Sequence, residues 1–122
     1  MPKMVLVADA PWVVNEVKSA LAAEPWQYVE VSDPRQVTEV VGQELPDAVV
    51  VDMQVGSMGG MAITRAIHHM PEPHPRVVLL LDRYADRFLA RRAGADAAVV
   101  KPIDGPELRW GLSGTDGLEE EE

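Results

Sequence analysis

The chain contains no cysteine. Disulfides, thiolate metal sites and cysteine nucleophiles are therefore excluded, and the absence fits a reducing compartment. It also has no apolar run long enough to cross a bilayer. The opening Met-Pro-Lys-Met-Val-Leu-Val enters a strand pattern without a leader-type apolar stretch, so the expectation is a cytoplasmic protein with no membrane partner. Positive charge is scarce: 11 Lys and Arg face 20 Asp and Glu, for a net charge of −9. Five of the acids, Asp116 and Glu119 to Glu122, follow Gly111, and up to that glycine 15 acids face 11 bases. Binding to nucleic acid needs a basic face, so no nucleic-acid partner is expected. Arg87, Arg91 and Arg92 form one small basic cluster, read as the outer side of a helix. Gly56-Ser57-Met58-Gly59-Gly60 lacks the Gly-Lys-Ser/Thr of a nucleotide phosphate loop.

What the chain has is a set of short apolar runs, four of which end in a charge. Val5 to Ala8 runs into Asp9, Ala48 to Val51 into Asp52, Val77 to Leu81 into Asp82, and Ala97 to Val100 into Lys101. Continuous Val/Leu runs separated by helix-sized segments read as parallel strands buried on both faces. Parallel strands all point one way, so the four charges arrive at one edge. In open α/β sheets that carboxyl edge is where ligands bind.

The pattern predicts five βα units. Strands are expected at 3–8, 26–31, 48–52, 76–81 and 97–100. Between them, Val13, Val14, Val17, Ala20 and Leu21 have helical spacing behind Pro11, with Glu24-Pro25 as the stop. Asp33-Pro34 is a cap followed by Pro at the first helical position, leading into Val37, Val40, Val41 and Leu45. Met61, Ile63, Ala66, Ile67 and Met70 form the next apolar face. Ala85, Phe88, Leu89 and Ala93 mark a short helix closed by Gly94. Asp104-Gly105-Pro106-Glu107 opens a last helix, expected to be cut to barely two turns by Gly111 and Gly114. One domain over 1–112 and a disordered acidic tail over 113–122 follow. Five units are too few for a closed barrel. They predict an open, doubly wound five-stranded parallel sheet of order 2-1-3-4-5.

Three elements carry a family likeness: Asp9-Ala10-Pro11 after the first strand, Asp52 closing the third strand ahead of a Gly-rich loop, and the string from Arg92 to Pro102 with Gly94-Ala95-Asp96 ahead of Lys101-Pro102. Over roughly residues 3–110 the chain resembles the receiver domains of bacterial two-component response regulators, which have the flavodoxin-like doubly wound fold. The resemblance implies that Asp52 is the phosphoacceptor for a histidine kinase or relay protein. It implies a Mg²⁺ site made by Asp9, Asp52 and the backbone carbonyl of Gln54, and contact of Lys101 with the phosphoryl oxygens, usually across a cis peptide to the following Pro. A carboxylate attacking a phosphate needs a cation to offset their repulsion, so this chemistry is coherent.

The chain departs from the family pattern at the same site. Ala8 stands where the first of two acids is usual. Asp82 replaces the hydroxyl residue ending strand four, Ala98 replaces the switch aromatic, and Gly56 and Gly59 replace a Pro and an acid of the loop. An ionised Asp82 cannot donate to a phosphoryl group and repels it. Three placements of Asp82 stand side by side: a substitute metal ligand, a permanent partner of Lys101 imitating a phosphorylated state, or an outward turn toward Arg83 or Arg87. Asp9 reads as a metal ligand or as the cap of the first helix, and Lys101 as a site residue or a structural ion pair. One of His68 and His69 is read as a partner of a helix C-terminus, and Trp12, Trp26 and Trp110 as packing residues, with Trp110 open to exposure.

The expected function is a stand-alone, atypical receiver, not an enzyme. It would act through protein contact as a monomer or weak homodimer, with a weakened Mg²⁺ site. The rivals are a working Mg²⁺-dependent phosphoacceptor and, further off, a phosphatase or cofactor binder on the same topology. The last lacks support, because Gln54 stands where a second phosphatase Asp belongs and Asp9 to Trp12 is no flavin phosphate loop.

Overall fold

A computed structural model describes residues 1–55 and 59–114. Five strands, β1 (Lys3–Val7), β2 (Gln27–Val31), β3 (Ala48–Asp52), β4 (Arg76–Leu81) and β5 (Ala97–Val100), alternate with five helices. These are α1 (Pro11–Ala20), α2 (Val37–Glu44), α3 (Gly60–His68), α4 (Arg87–Ala93) and α5 (Gly105–Ser113). All neighbouring strands pair in parallel, and the order is β2-β1-β3-β4-β5, as the pattern predicts.

Side chains alternate across a strand, and here the alternation sorts the core into two layers. Val5, Val7, Val49, Val51, Val77, Leu79 and Leu81 join Val37 and Val41 of α2, Ile63 and Ile67 of α3, and Ala90 of α4. The intervening Met4, Leu6, Val50, Val78, Leu80 and Val99 join Val13 and Val17 of α1 and Leu108 of α5. Helices therefore cover both faces, and among the strands only the edge strand β2 is open to solvent along its length. The register aligns Val7 with Val51, Val51 with Leu79 and Leu81 with Val100. Residues Ala8, Asp52, Asp82 and Lys101 thus come off one edge of the sheet.

Several expectations need correction. The first strand ends at Val7 rather than at residue 8, and the second begins at Gln27 rather than Trp26. Leu45 is no part of the apolar face of α2: it is 80% exposed and caps the helix in the left-handed region at φ 48°. In α4 the inward residues are Ala90 and Ala93, while Phe88 and Leu89 are exposed. A single tight turn at Tyr84–Asp86 precedes that helix.

Gly111 does not end the last helix. It is buried inside α5, and a Cβ there would stand 3.2 Å from the Ala97 Cβ and 3.6 Å from the Val78 methyls. The glycine lets α5 lie close on the sheet. The helix runs nine residues, about two and a half turns. Ser113 is its last residue and Gly114 its left-handed cap, so the expected tail does not begin at 113. The rest of that tail, and Gly56-Ser57-Met58, lie outside the described residues. The capping signals read as written: Asp33 accepts from the Arg35 N–H at 3.0 Å, Asp104 from the Glu107 N–H at 3.0 Å, and Gly94 closes α4. Among the described residues no helix is long and apolar enough to cross a membrane.

Candidate functional site

Asp52 is the last residue of β3, and its strand position leaves it 1% exposed. A buried carboxylate must find partners. Lys101, the residue after β5, reaches it with Nζ 2.6 Å from Asp52 Oδ1. The backbone N–H of Gln54 donates to the same oxygen at 3.2 Å. Lys101 is placed by its own N–H, which continues the β4–β5 ladder to Leu81 O at 2.8 Å. Its peptide bond to Pro102 is cis.

Asp82, the residue after β4, completes a closed circuit. Its Oδ1 lies 3.2 Å from the same Lys101 ammonium. Its Oδ2 accepts from the Gln54 side-chain amide at 2.7 Å. The ends of three strands are therefore tied through one ammonium and one amide. Of the three placements open to Asp82, the pairing with Lys101 is the one observed, and Arg83 turns instead to Asp86, at 3.1 Å.

The charges shape one another. Burial works to pull the Lys101 ammonium down, but Asp52 and then Asp82 outweigh it and hold its pKa above the usual lysine value. Partial burial works to push the Asp82 carboxyl up. The Gln54 amide and the Lys101 ammonium outweigh that and hold it below the usual carboxylate range. Trp12, in the first turn of α1, places its ring centroid 5.4 Å from Nζ, within the reach of a cation–π contact.

The remaining predicted site residue is Asp9. It sits on the same edge but is exposed, and it lines a hollow of about 320 Å³ between β1, α1 and β2 with Ala10, Asn15, Lys18, Glu30 and Ser32. Asp52 is not in that lining. Nor is Asp9 the cap of α1, whose capping position is Ala10. Among the described residues, no three or more His, Cys, Asp or Glu side chains are grouped so that they could hold a metal ion.

Sequence reasoning missed two participants. Gln54 was expected to offer only its carbonyl, yet its side-chain amide is the arm that holds Asp82. The hint was an amide side chain one residue beyond the strand end that bears Asp52. Trp12 was expected as a packing residue and is 61% exposed, while Trp110, for which exposure was left open, is 63% exposed. Trp12 lies over Lys101 because Pro11 starts α1 immediately beside the edge. At the other end of the molecule, the His69 ring meets the Arg65 carbonyl at 2.8 Å near the end of α3, as read.

Residues 4–112 match the family described as response regulator receiver domain. The chain belongs to that family. It is therefore a receiver domain of the kind found in the response regulators of two-component systems. It is 28% identical over 110 residues to the response regulator MprA of Mycolicibacterium vanbaalenii, covering 88% of this chain and 48% of that protein. The chain thus spans about half the length of such curated relatives. The BeF3-activated N-terminal receiver domain of Klebsiella pneumoniae RstA superposes with a TM-score of 0.76 at 26% identity, covering 90% of this chain and 97% of that one. The receiver domain of the sensor histidine kinase PA1611 from Pseudomonas aeruginosa, which carries a magnesium ion in its active-site cleft, shares the fold with a TM-score of 0.78 at 21% identity, covering 92% and 94%.

Proposed function

We propose that this receiver acts through protein–protein contact without depending on phosphoryl transfer to Asp52, its site being a degenerate form of the family's phosphoacceptor pocket. The observation that carries the reading is the Lys101 ammonium held between Asp52 at 2.6 Å and Asp82 at 3.2 Å. An incoming phosphoryl group would have to take the ammonium from Asp82 and approach a second carboxylate as it did so. Like charges about 4 Å apart repel by roughly 1 to 4 kcal/mol, depending on the local dielectric. Asp82 already supplies what a phosphoryl group would supply, an anion on Lys101.

The residues present do not fit a divalent cation well. Ala8 offers no ligand, Asp52 Oδ1 is engaged by Lys101 and Gln54, and no grouping of metal-ligating side chains stands among the described residues. Mg²⁺ prefers several carboxylates, carbonyls and waters in octahedral array. The partners would be proteins, with a histidine kinase or relay protein among them, and Ala98 in place of the switch aromatic points to a readout that does not run through that rotamer.

One observation favours the rival reading of a working phosphoacceptor: Asp52 at the end of β3 and Lys101 after β5 meet at 2.6 Å across the end of β4, as phosphoryl transfer to Asp52 would require. Incubation with acetyl phosphate and Mg²⁺, followed by intact mass measurement, separates the two. The expected result is no phosphoryl adduct. An adduct formed on the wild type and absent from Asp52→Asn would replace this reading with the rival.

A further inference from the structure

We infer that Lys101 is the resident cation of the acidic pocket, held there by Asp52 and Asp82 in place of a divalent ion, so that the pocket of this chain is metal-independent. The inference rests on the degenerate-site reading above but is separable from it by experiment.

An ammonium donates hydrogen bonds in several directions and accepts none. Here one direction goes to Asp52 Oδ1 at 2.6 Å and a second to Asp82 Oδ1 at 3.2 Å. The Trp12 ring lies 5.4 Å away, so an aromatic face roofs the remaining side. The other Asp82 oxygen is occupied by Gln54 Nε2 at 2.7 Å, which fixes the carboxylate in its orientation toward Nζ. The Lys101 side chain is only 10% exposed. Among the described residues, four elements serve the ammonium: β3 and β4 bring the anions, the turn after β3 brings the amide, and α1 brings the ring.

A divalent ion entering this pocket meets two obstacles. It must displace the ammonium from two carboxylates at once, or stand beside it against like charge in a poorly solvated place. It must also shed water, which Mg²⁺ does reluctantly, for an incomplete ligand set. The reverse follows too. The two Oδ1 atoms converge on the point that Nζ fills. Removing the charge of Lys101 while keeping the fold leaves two carboxylates facing one space, the makings of a cation site from Asp52 and Asp82 rather than from an acidic pair after β1.

The test uses the full chain with Trp26→Phe and Trp110→Phe, so that Trp12 is the sole tryptophan and reports on the ion beside it. Mg²⁺ is titrated into this protein and into its Lys101→Met counterpart, reading Trp12 emission and the thermal midpoint. With Lys101 present, both readouts are expected to stay flat through millimolar Mg²⁺. With Lys101→Met, saturable emission change and a rising midpoint are expected, at an affinity on the order of tenfold or more tighter. Lys101→Gln, which keeps a polar arm without the charge, replaces the Met variant if that one does not fold. Saturable binding with Lys101 present overturns the inference, and so do flat titrations in every variant. Mg²⁺ binding without Asp52 phosphorylation would sink this inference and leave the proposed function standing. Phosphorylation of Asp52 with a flat Mg²⁺ titration would do the opposite.

Discussion

The carboxyl edge of this sheet has two halves that differ in kind. On the β1 side, Ala8 carries no functional group and Asp9 is exposed beside an open hollow. On the β3–β4–β5 side, Asp52, Asp82, Gln54 and Lys101 form a circuit in which each charged group has an opposite partner. On this half the Lys101 ammonium stands between the Asp52 and Asp82 carboxylates. The electrostatic centre of that half is an internal ion pair.

Breaking the networked half at its centre tests this most severely. Lys101→Met leaves Asp52 buried as an uncompensated carboxylate and orphans the Asp82 contact. Removing one partner of a buried pair typically costs about 3–5 kcal/mol, and that loss is expected in urea or thermal unfolding without added divalent ion. Lys101→Arg is not a neutral exchange at a point-like site roofed by an indole ring. A loss under about 1 kcal/mol for Lys101→Met, the range of an exposed pair, would show that the circuit is decoration rather than a structural centre.

How much of this was legible depends on the kind of interaction. The sheet order followed from apolar runs that end in charges, because strands buried on both faces must read that way. Asp33, Gly94 and Asp104 announced helix ends because capping is local chemistry. Leu45, Phe88 and Leu89 misled for the converse reason. Their apolar spacing fits a helix, but Leu45 is a left-handed cap and Phe88 and Leu89 are exposed. Gly111 looked like a breaker and is a spacer, since only the packed neighbour, Ala97, reveals why a Cβ is unwelcome. At the site, strand ends placed Asp52, Asp82 and Lys101 on one edge, but not which oxygen meets which nitrogen. The Gln54 amide and the Trp12 ring act through side-chain directions that no spacing encodes.

A second, smaller effect should come from the floor of the same half. A Cβ on Gly60 would meet Asp52 O and Met53 Cα, each at 2.7 Å. These are backbone atoms of the strand end that carries the site, and they cannot swing aside. Gly60→Ala is therefore expected to shift the Asp52 peptide and to cost about 1–3 kcal/mol, as overpacking does. Amide chemical shifts should move at Asp52, Gln54 and Lys101 more than at Asp9. Equal movement on both sides of the edge would mean that the halves are mechanically one.

The gentlest comparison sets Asp82→Asn against Asp9→Asn. Asp82 is 37% exposed at its side chain, so solvent screens the pair and the substitution is expected to cost about 1 kcal/mol or less. Its pH dependence is more telling than its size. The folded protein holds the Asp82 carboxyl below its ordinary value, so its contribution is present above the unfolded value near about 4 and is lost as pH falls through the lower folded value. The stability gap between wild type and Asp82→Asn should hold steady through neutral pH and close in acid. Lys101, held above its ordinary value, retains its own contribution below about pH 10, so it leaves the acid limb untouched. Asp9→Asn, on the exposed half, should stay within about 0.5 kcal/mol throughout. Unfolding midpoints from pH 7 down to about 3 decide the matter: a gap for Asp82→Asn that widens in acid, or one for Asp9→Asn that exceeds it, would place the working charge of this edge beside β1 after all.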